Sequence, residues 1–376
     1  MRSKLCVAAF AAIALLSVQR LMADTIAYGQ NNLTSDLPGV APNQDTNLVN
    51  PWGIAFGAGS PVWISDNGTG LSTLYNGSGQ AFPVGSPLVV TVPPPSGGTP
   101  PSAPTGVIAN PTGDFGGSHF IFATEDGTIS AWSGGTSAAL EVDNSPSGAI
   151  YKGLAMGNNG ANLLYAANFN SGNIHVFNAS FAPTTVPGGF TDPTLPAGYA
   201  PFDIANIGGL LYVTYAQQDA DKHDDVAGPG NGYVDVYNTN GVLQHRLISN
   251  GPLNSPWGMT LAPGSFGPFS NDLLVGNFGD GKINAFDPTT GALLGTLENT
   301  LGQPIVNQGL WGLAFGDGAH GFDPNTLYFT AGIPGPGEVE DHGLFGDIRA
   351  TPEPSALLPI AAVMVGFVIR RRFRTV

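Results

Sequence analysis

Basic side chains are almost missing from the long middle of this chain. Between residues 24 and 350 the only cations are Lys152, Lys222, Arg246, Lys282 and Arg349, against 26 acidic residues, a net charge of −21. Such a body excludes nucleic acid as a partner, because each phosphate contact needs a Lys or Arg. It suits a protein held in solution by its charge, or one that attracts divalent cations and basic partners. Cysteine is missing as well: the single Cys6 lies near the N-terminus, so the body has no disulfide, thiol nucleophile or thiolate metal ligand. Gly-x-Ser-x-Gly and His-Glu-x-x-His do not occur, which removes the usual serine elbow and the zinc-protease helix. The six histidines, at 119, 175, 223, 245, 320 and 342, are scattered, a distribution suited to loop and packing roles.

Long apolar runs stand only at the two ends. Arg2 and Lys4 precede Leu5 to Val18, and Leu21-Met22-Ala23 offers a small residue before Asp24. Residues 1–23 therefore read as a secretory signal peptide, to be removed by signal peptidase. In residues 351–376, Pro352-Glu353-Pro354 is followed by the 14 apolar residues Ala356 to Ile369 and then Arg370, Arg371, Arg372 and Arg374. That run is short against the roughly 20 residues of a spanning helix, and the arginines should stay cytoplasmic. The tail resembles the PEP-CTERM sorting signal of Gram-negative envelope proteins. The resemblance implies an exosortase-like processing enzyme, membrane contact through this segment alone before cleavage, and delivery to the cell surface, outer envelope or extracellular matrix. A plain single-pass anchor would explain the helix and the arginines but not the tripeptide.

What the body does contain is repetition. One phrase recurs, an aromatic or polar residue, then Gly, then apolar residues: Trp52-Gly53-Ile54, Thr105-Gly106-Val107, Lys152-Gly153-Leu154, Phe202-Asp203-Ile204, Trp257-Gly258-Met259 and Trp311-Gly312-Leu313. Successive starts lie 53, 47, 50, 55 and 54 residues apart. Each is followed by two further short runs rich in Val, Ile, Tyr and Phe, with Gly-containing turns between them, and in several units by a weaker fourth. Six units of four short strands predict an all-β, six-bladed β-propeller over 24–350. The sixth unit lacks its own fourth strand, and Thr25 to Leu33 belongs to no unit, so the N-terminal strand is expected to close the ring.

The repeats resemble NHL-type six-bladed propellers. Asn50-Pro51-Trp52-Gly53, Ser65-Asp66-Asn67-Gly68-Thr69-Gly70, Ala123-Thr124-Glu125-Asp126-Gly127 and Gly276-Asn277-Phe278-Gly279-Asp280-Gly281 are similar to a family of exported bacterial propellers, conserved hypothetical proteins that often carry this sorting tail. That family supplies a fold and an address but no activity.

Three candidate sites follow. Gluconolactonase- and regucalcin-type propellers hold a divalent cation at the channel mouth, but the matching column here, Trp52, Thr105, Lys152, Phe202, Trp257 and Trp311, cannot supply the oxygen ligands that Ca2+ requires. A second column at the ends of the second strands offers Asp66, Glu125, Asn168 and Asn277, which could bind Ca2+ if they converge, or could cap their own turns. An acidic loop, Asp219 to Asp225, brings Asp219, Asp221, Asp224 and Asp225 within seven residues, as a clamp or as a solvated surface loop. Finally, Trp52, Trp257 and Trp311 fall in adjoining blades and could stack on sugar rings, or plug the channel. The expected function is a non-catalytic, surface-displayed binding or matrix protein engaging extracellular polysaccharide. The alternative is a divalent-cation-dependent hydrolase or lactonase with its site at the channel mouth.

Overall fold

The computed structural model describes residues 27–351. The signal peptide and the sorting tail assigned to the two termini lie outside them. Six sheets of short antiparallel strands stand around one axis. The innermost strands are Pro51–Phe56, Pro104–Ala109, Tyr151–Asn158, Tyr199–Ile207, Pro256–Leu261 and Leu310–Phe315. Each touches the next, and the sixth touches the first, so the ring is closed.

Blades stack face to face, so both faces of a middle strand are covered, and such strands read as continuous apolar runs rather than alternating ones. Phe120–Thr124 and Leu327–Ala331 are buried at every position, whereas the outer strand Leu293–Thr296 is largely open to solvent. Six apolar cores fill the gaps between blades, as with Trp63, Val90 and Phe122 between blades one and two. A seventh lies on the axis.

The last blade is completed from the other end of the chain. Tyr28–Ser35 pairs antiparallel with Leu344–Ala350, with Tyr28 opposite Ala350 and Ser35 opposite Leu344. Thr351 N–H also reaches Ala27 C=O at 2.9 Å, and Ser35 Oγ donates to Gly343 C=O at 2.7 Å. The expected closure is present, and Asn43–Gln44 adds a short parallel strand outside it. Blades two and three also carry the fourth strands that the sequence showed only weakly, Ala139–Asp143 and Pro183–Thr184.

Every innermost strand loses register at the same step. The pairing breaks between Pro51 and Ile54, Pro104 and Val107, Tyr151 and Gly153, Pro201 and Asp203, Pro256 and Met259, and Leu310 and Leu313. A bulge of this kind re-aims the side chain it frees; here the first residue of each repeated phrase leaves the ladder, and Trp52, Lys152, Phe202, Trp257 and Trp311 meet on the axis, whereas Thr105 Oγ1 donates to Tyr151 C=O at 2.7 Å. Threonines of the neighbouring strands take up backbone groups that the bulges release. Thr330 Oγ1 donates to Trp52 C=O at 2.6 Å and accepts from Gly312 N–H at 2.8 Å. Thr214 Oγ1 accepts from Asp203 N–H at 2.9 Å.

The glycine after the axial residue exists because adjacent backbones touch there. A Cβ on Gly53 would lie 2.5 Å from Thr105 C=O, and one on Gly312 would lie 2.6 Å from Trp52 C=O. Gly312→Ala should therefore cost about 2–3 kcal/mol by overpacking rigid backbone, whereas Gly113→Ala, with open space at its Cβ, should be close to neutral. Urea midpoints of the two variants check this; equal midpoints would mean the blades can part without penalty.

Candidate functional site

The axial side chains close the channel. Trp52 and Trp311 stack with ring centroids 3.5 Å apart, Trp257 stands edge-on to both at 5.8 and 5.7 Å, and Phe278 lies over Trp311 at 4.1 Å. Phe202 and Phe169 complete the cluster. Contacts run across the ring as well as around it: Trp257 Nε1 donates to Lys152 C=O at 3.0 Å, and Phe202 meets Trp311 at 5.9 Å. The three tryptophans are 1–4 % exposed. In this arrangement they present no free face to a sugar ring, which corrects the expectation of an aromatic arc at the mouth: bulges on adjoining strands aim the indoles at one another.

Lys152, the axial residue of blade three, is buried against this plug with its ammonium 5.1 Å over the Trp52 ring. Its Nζ donates to Glu125 Oε1, and to Asp224 Oδ1 at 3.2 Å. Burial opposes its charge, but the two carboxylates outweigh that and hold the lysine protonated above its ordinary range. Asp224 is pulled below the usual carboxylate range: its partial burial works the other way, and Lys152 overcomes it with help from His223, whose Nδ1 is 2.8 Å away.

A hydrogen-bonded belt roofs the plug from this centre. Asn67 Nδ2 donates to Glu125 Oε2 at 2.8 Å, Asn50 Nδ2 donates to Glu340 Oε1 at 3.0 Å, and Asn50 Oδ1 accepts from Trp311 Nε1 at 3.1 Å. Trp52 Nε1 is buried beneath this belt with no hydrogen-bond partner among the described residues, and Asp225 Oδ2 is buried with the Ser255 hydroxyl set against it. Burial pushes Asp225 up from its ordinary value.

The two acidic sets proposed for calcium are thus divided. Of the second-strand column, only Glu125 faces the axis. Asp66 is fully buried beside Thr73 and Tyr75, and burial pushes it well above the carboxylate range. Asn168 caps its own turn through Ile150 and Ser171 N–H, and Asn277 binds Asn254 N–H and Pro252 C=O. The column does not converge: Asp66 turns into the core between blades, and Asn168 and Asn277 bond backbone of the loops beside their own strand ends. From the acidic loop, Asp224 and Asp225 reach the axis; Asp219 accepts from His223 N–H within the loop, and Asp221 is exposed. Glu125, His223 and Asp224 bring their ligand atoms within 4.8 Å of one another. His223, Glu340 and the role of Lys152 escaped the sequence reading. Lys152 did carry a signal, as the one cation in a column of aromatic residues.

No protein-family model matches the chain. It is 34% identical over 338 residues to the uncharacterized protein R648 of Acanthamoeba polyphaga mimivirus, covering 85% of this chain and 79% of that protein. It is 33% identical to the uncharacterized protein L690 of the same virus, covering 80% and 81%. Among solved structures it resembles the soluble aldose sugar dehydrogenase of Escherichia coli in its apo-form, with a TM-score of 0.56 at 12% identity over 86% of this chain and 100% of that one. At that identity the likeness is one of fold.

Glu340 gives the site a pH signature. Burial first, and then the nearby Glu125 and Asp224 carboxylates, push it up to about 7 against the hydrogen bond from Asn50. The folded protein holds a proton that the unfolded chain has released above its ordinary 4.5, so Glu340 lowers stability progressively as pH rises from about 4.5 to about 7, with no further loss above that. Glu340→Gln keeps an acceptor for Asn50 and should flatten this decline. Asp235, pushed up to about 6 by burial, acts with the same sign in both proteins, so the readout is their difference in urea midpoint between pH 5 and pH 8. No difference would mean that Glu340 is solvated.

Proposed function

The chain belongs to the same family as those two mimivirus proteins, and we propose from its own channel geometry that it is a binding propeller that holds a ligand without turning it over. The observation that carries this is Lys152. In a propeller that works through a bound cation, carboxylates at the mouth collect around the ion; here Glu125 and Asp224 collect around an ammonium tethered to the fold. A metal at Glu125, His223 and Asp224 would have to displace that ammonium or share its carboxylates, and two cations on one carboxylate repel. The lysine stays charged, so it is no nucleophile.

The ligand class follows from the groups the roof leaves open. At its outer surface the roof offers the exposed Asp224 carboxylate and His223 imidazole, and Glu125 and Glu340 add half-buried carboxylate oxygens around one buried cation. Donors and acceptors interleaved at this spacing suit the hydroxyls of an extracellular polysaccharide. The address fits that partner. The N-terminal signal peptide and the Pro352-Glu353-Pro354 tail with Arg370, Arg371 and Arg372 support export and exosortase-type sorting to the cell surface, outer envelope or extracellular matrix. Among the described residues no helix is long and apolar enough to cross a membrane, so on this reading membrane contact rests with the terminal segments.

The divalent-cation-dependent hydrolase or lactonase remains the second reading, on the mutual proximity of Glu125, His223 and Asp224. Calcium titration by calorimetry separates the two. The protein should show no saturable binding at millimolar Ca2+, whereas Lys152→Met, with the ammonium gone, should gain it and lose it again with added Glu125→Gln. Saturable binding by the unaltered protein that disappears in Glu125→Gln would overturn the binding-only reading. Retention on immobilised extracellular polysaccharide should weaken about tenfold in Asp224→Asn, the fold-change that corresponds to one lost hydrogen bond to a charged group.

A further inference from the structure

The channel has a second mouth with different chemistry. Beyond the tryptophan plug, at the end opposite the polar roof, the innermost strands spread into an open funnel of about 500 Å³. Its walls join the apolar side chains of Ile54, Val107, Leu154, Met156, Met259 and Leu313 to the amides of Asn158, Asn162 and Asn206, and Trp257 belongs to its inner end. One carboxyl lines it, that of Asp203. Asp203 stands where five of the six repeats have glycine, the position at which adjacent backbones otherwise touch. It is 8 % exposed and has no side-chain partner for its carboxyl among the described residues; the donor it meets is the backbone N–H of Ile204.

We infer that this funnel is a binding site separate from the polar roof, and that it takes a small organic cation, an ammonium group paired with Asp203 and an apolar body against the walls. Among the described residues no Lys, Arg or His lines the funnel, so no cation of the protein competes there for the acid. The chain carries a net charge of −15, and its field favours cations over anions at any opening. Methionine suits walls that must fit an apolar group of irregular shape. A buried carboxyl met by a single backbone N–H is costly in a fold, and blade four keeps one where glycine serves the other five.

The inference has a proton consequence. Burial pushes Asp203 well above the carboxylate range, against the hydrogen bond from Ile204 N–H, and so favours its protonated form while the funnel is empty. The titratable groups on the strands packed around it are turned elsewhere. Lys152 points to the roof, Tyr151 bonds Asn144 and His175, Tyr215 bonds Tyr237, and Tyr212 packs between blades four and five; Pro256–Leu261 carries none. An arriving ammonium ion lets Asp203 ionise beside it: the carboxylic acid and the ammonium ion become a carboxylate–ammonium pair, and one proton leaves to solvent. Binding should therefore release about one proton per ligand and tighten as pH rises.

Calorimetry with 2-phenylethylammonium against the uncharged 2-phenylethanol, at pH 7 in two buffers of different ionisation enthalpy, tests this. The expected result is saturable ammonium binding at least tenfold tighter than the alcohol, with about one proton released. Asp203→Asn, nearly isosteric with the neutral acid, should keep its melting temperature, weaken the ammonium at least tenfold and abolish the proton release. Ala205→Trp, which adds bulk at a half-exposed position on the funnel wall, should block both probes while leaving Asp203 in place. Equal binding of the two probes, no saturable binding, or ammonium binding lost in Glu125→Gln but not in Asp203→Asn would each overturn the inference; the last would place the cation at the roof.

Discussion

Six bulges at one level of the ring govern this molecule. At each, a residue leaves the ladder of the innermost strand, and in five of the six it meets the others on the axis. In five of the six blades the next residue is a glycine, and contact between adjacent backbones allows nothing larger. The diameter of the channel, the identity of what fills it and the separation of its two mouths all depend on that geometry. Thr330 and Thr214 take up backbone groups freed by the bulges, which lets a local break in pairing persist inside a buried ring, where an unsatisfied amide would cost on the order of 1–3 kcal/mol. Blade four departs from the rule at Asp203, and there a carboxyl lines the channel.

Electrostatics then assigns the two mouths different characters. A chain with so few cations spends one of them, Lys152, in the least solvated place available. An unpaired ammonium there would lose its proton or disrupt the fold; Glu125 and Asp224, with the Trp52 face, keep it charged. Removing either side of such a pair leaves a buried charge uncompensated, which is where the strong cost of breaking buried ion pairs comes from. The roof is therefore a polar surface of fixed geometry. The opposite funnel sets apolar side chains and amides around one carboxyl among the described residues, that of Asp203, whose protonated form burial favours. The aromatic plug, with Trp52, Trp257 and Trp311 in mutual contact, keeps the two environments apart.

Much of this architecture was legible in the residues. A period near 50 with one repeated phrase determined the number of blades, and the missing fourth strand of the last unit together with the unassigned Thr25 to Leu33 determined the closure. Both are consequences of local periodicity, which each blade must satisfy to bury its faces against its neighbours. The chemistry was legible only in part. Glu125 stood in one candidate set, and Asp224 and Asp225 in another, about a hundred residues apart. That they meet at Lys152, while Asp66, Asn168 and Asn277 turn into blades and turns, depends on which way each side chain leaves its strand end. Asp203 was visible as a departure from glycine in its column, but its meaning needed the funnel. Sequence by itself determined the repeat, the closure and the charge, because these are set by neighbours along the chain. Tertiary structure alone decided which side chains share the axis, because each blade contributes only one or two of them and the ring brings them together from residues as distant as Asn50 and Glu340.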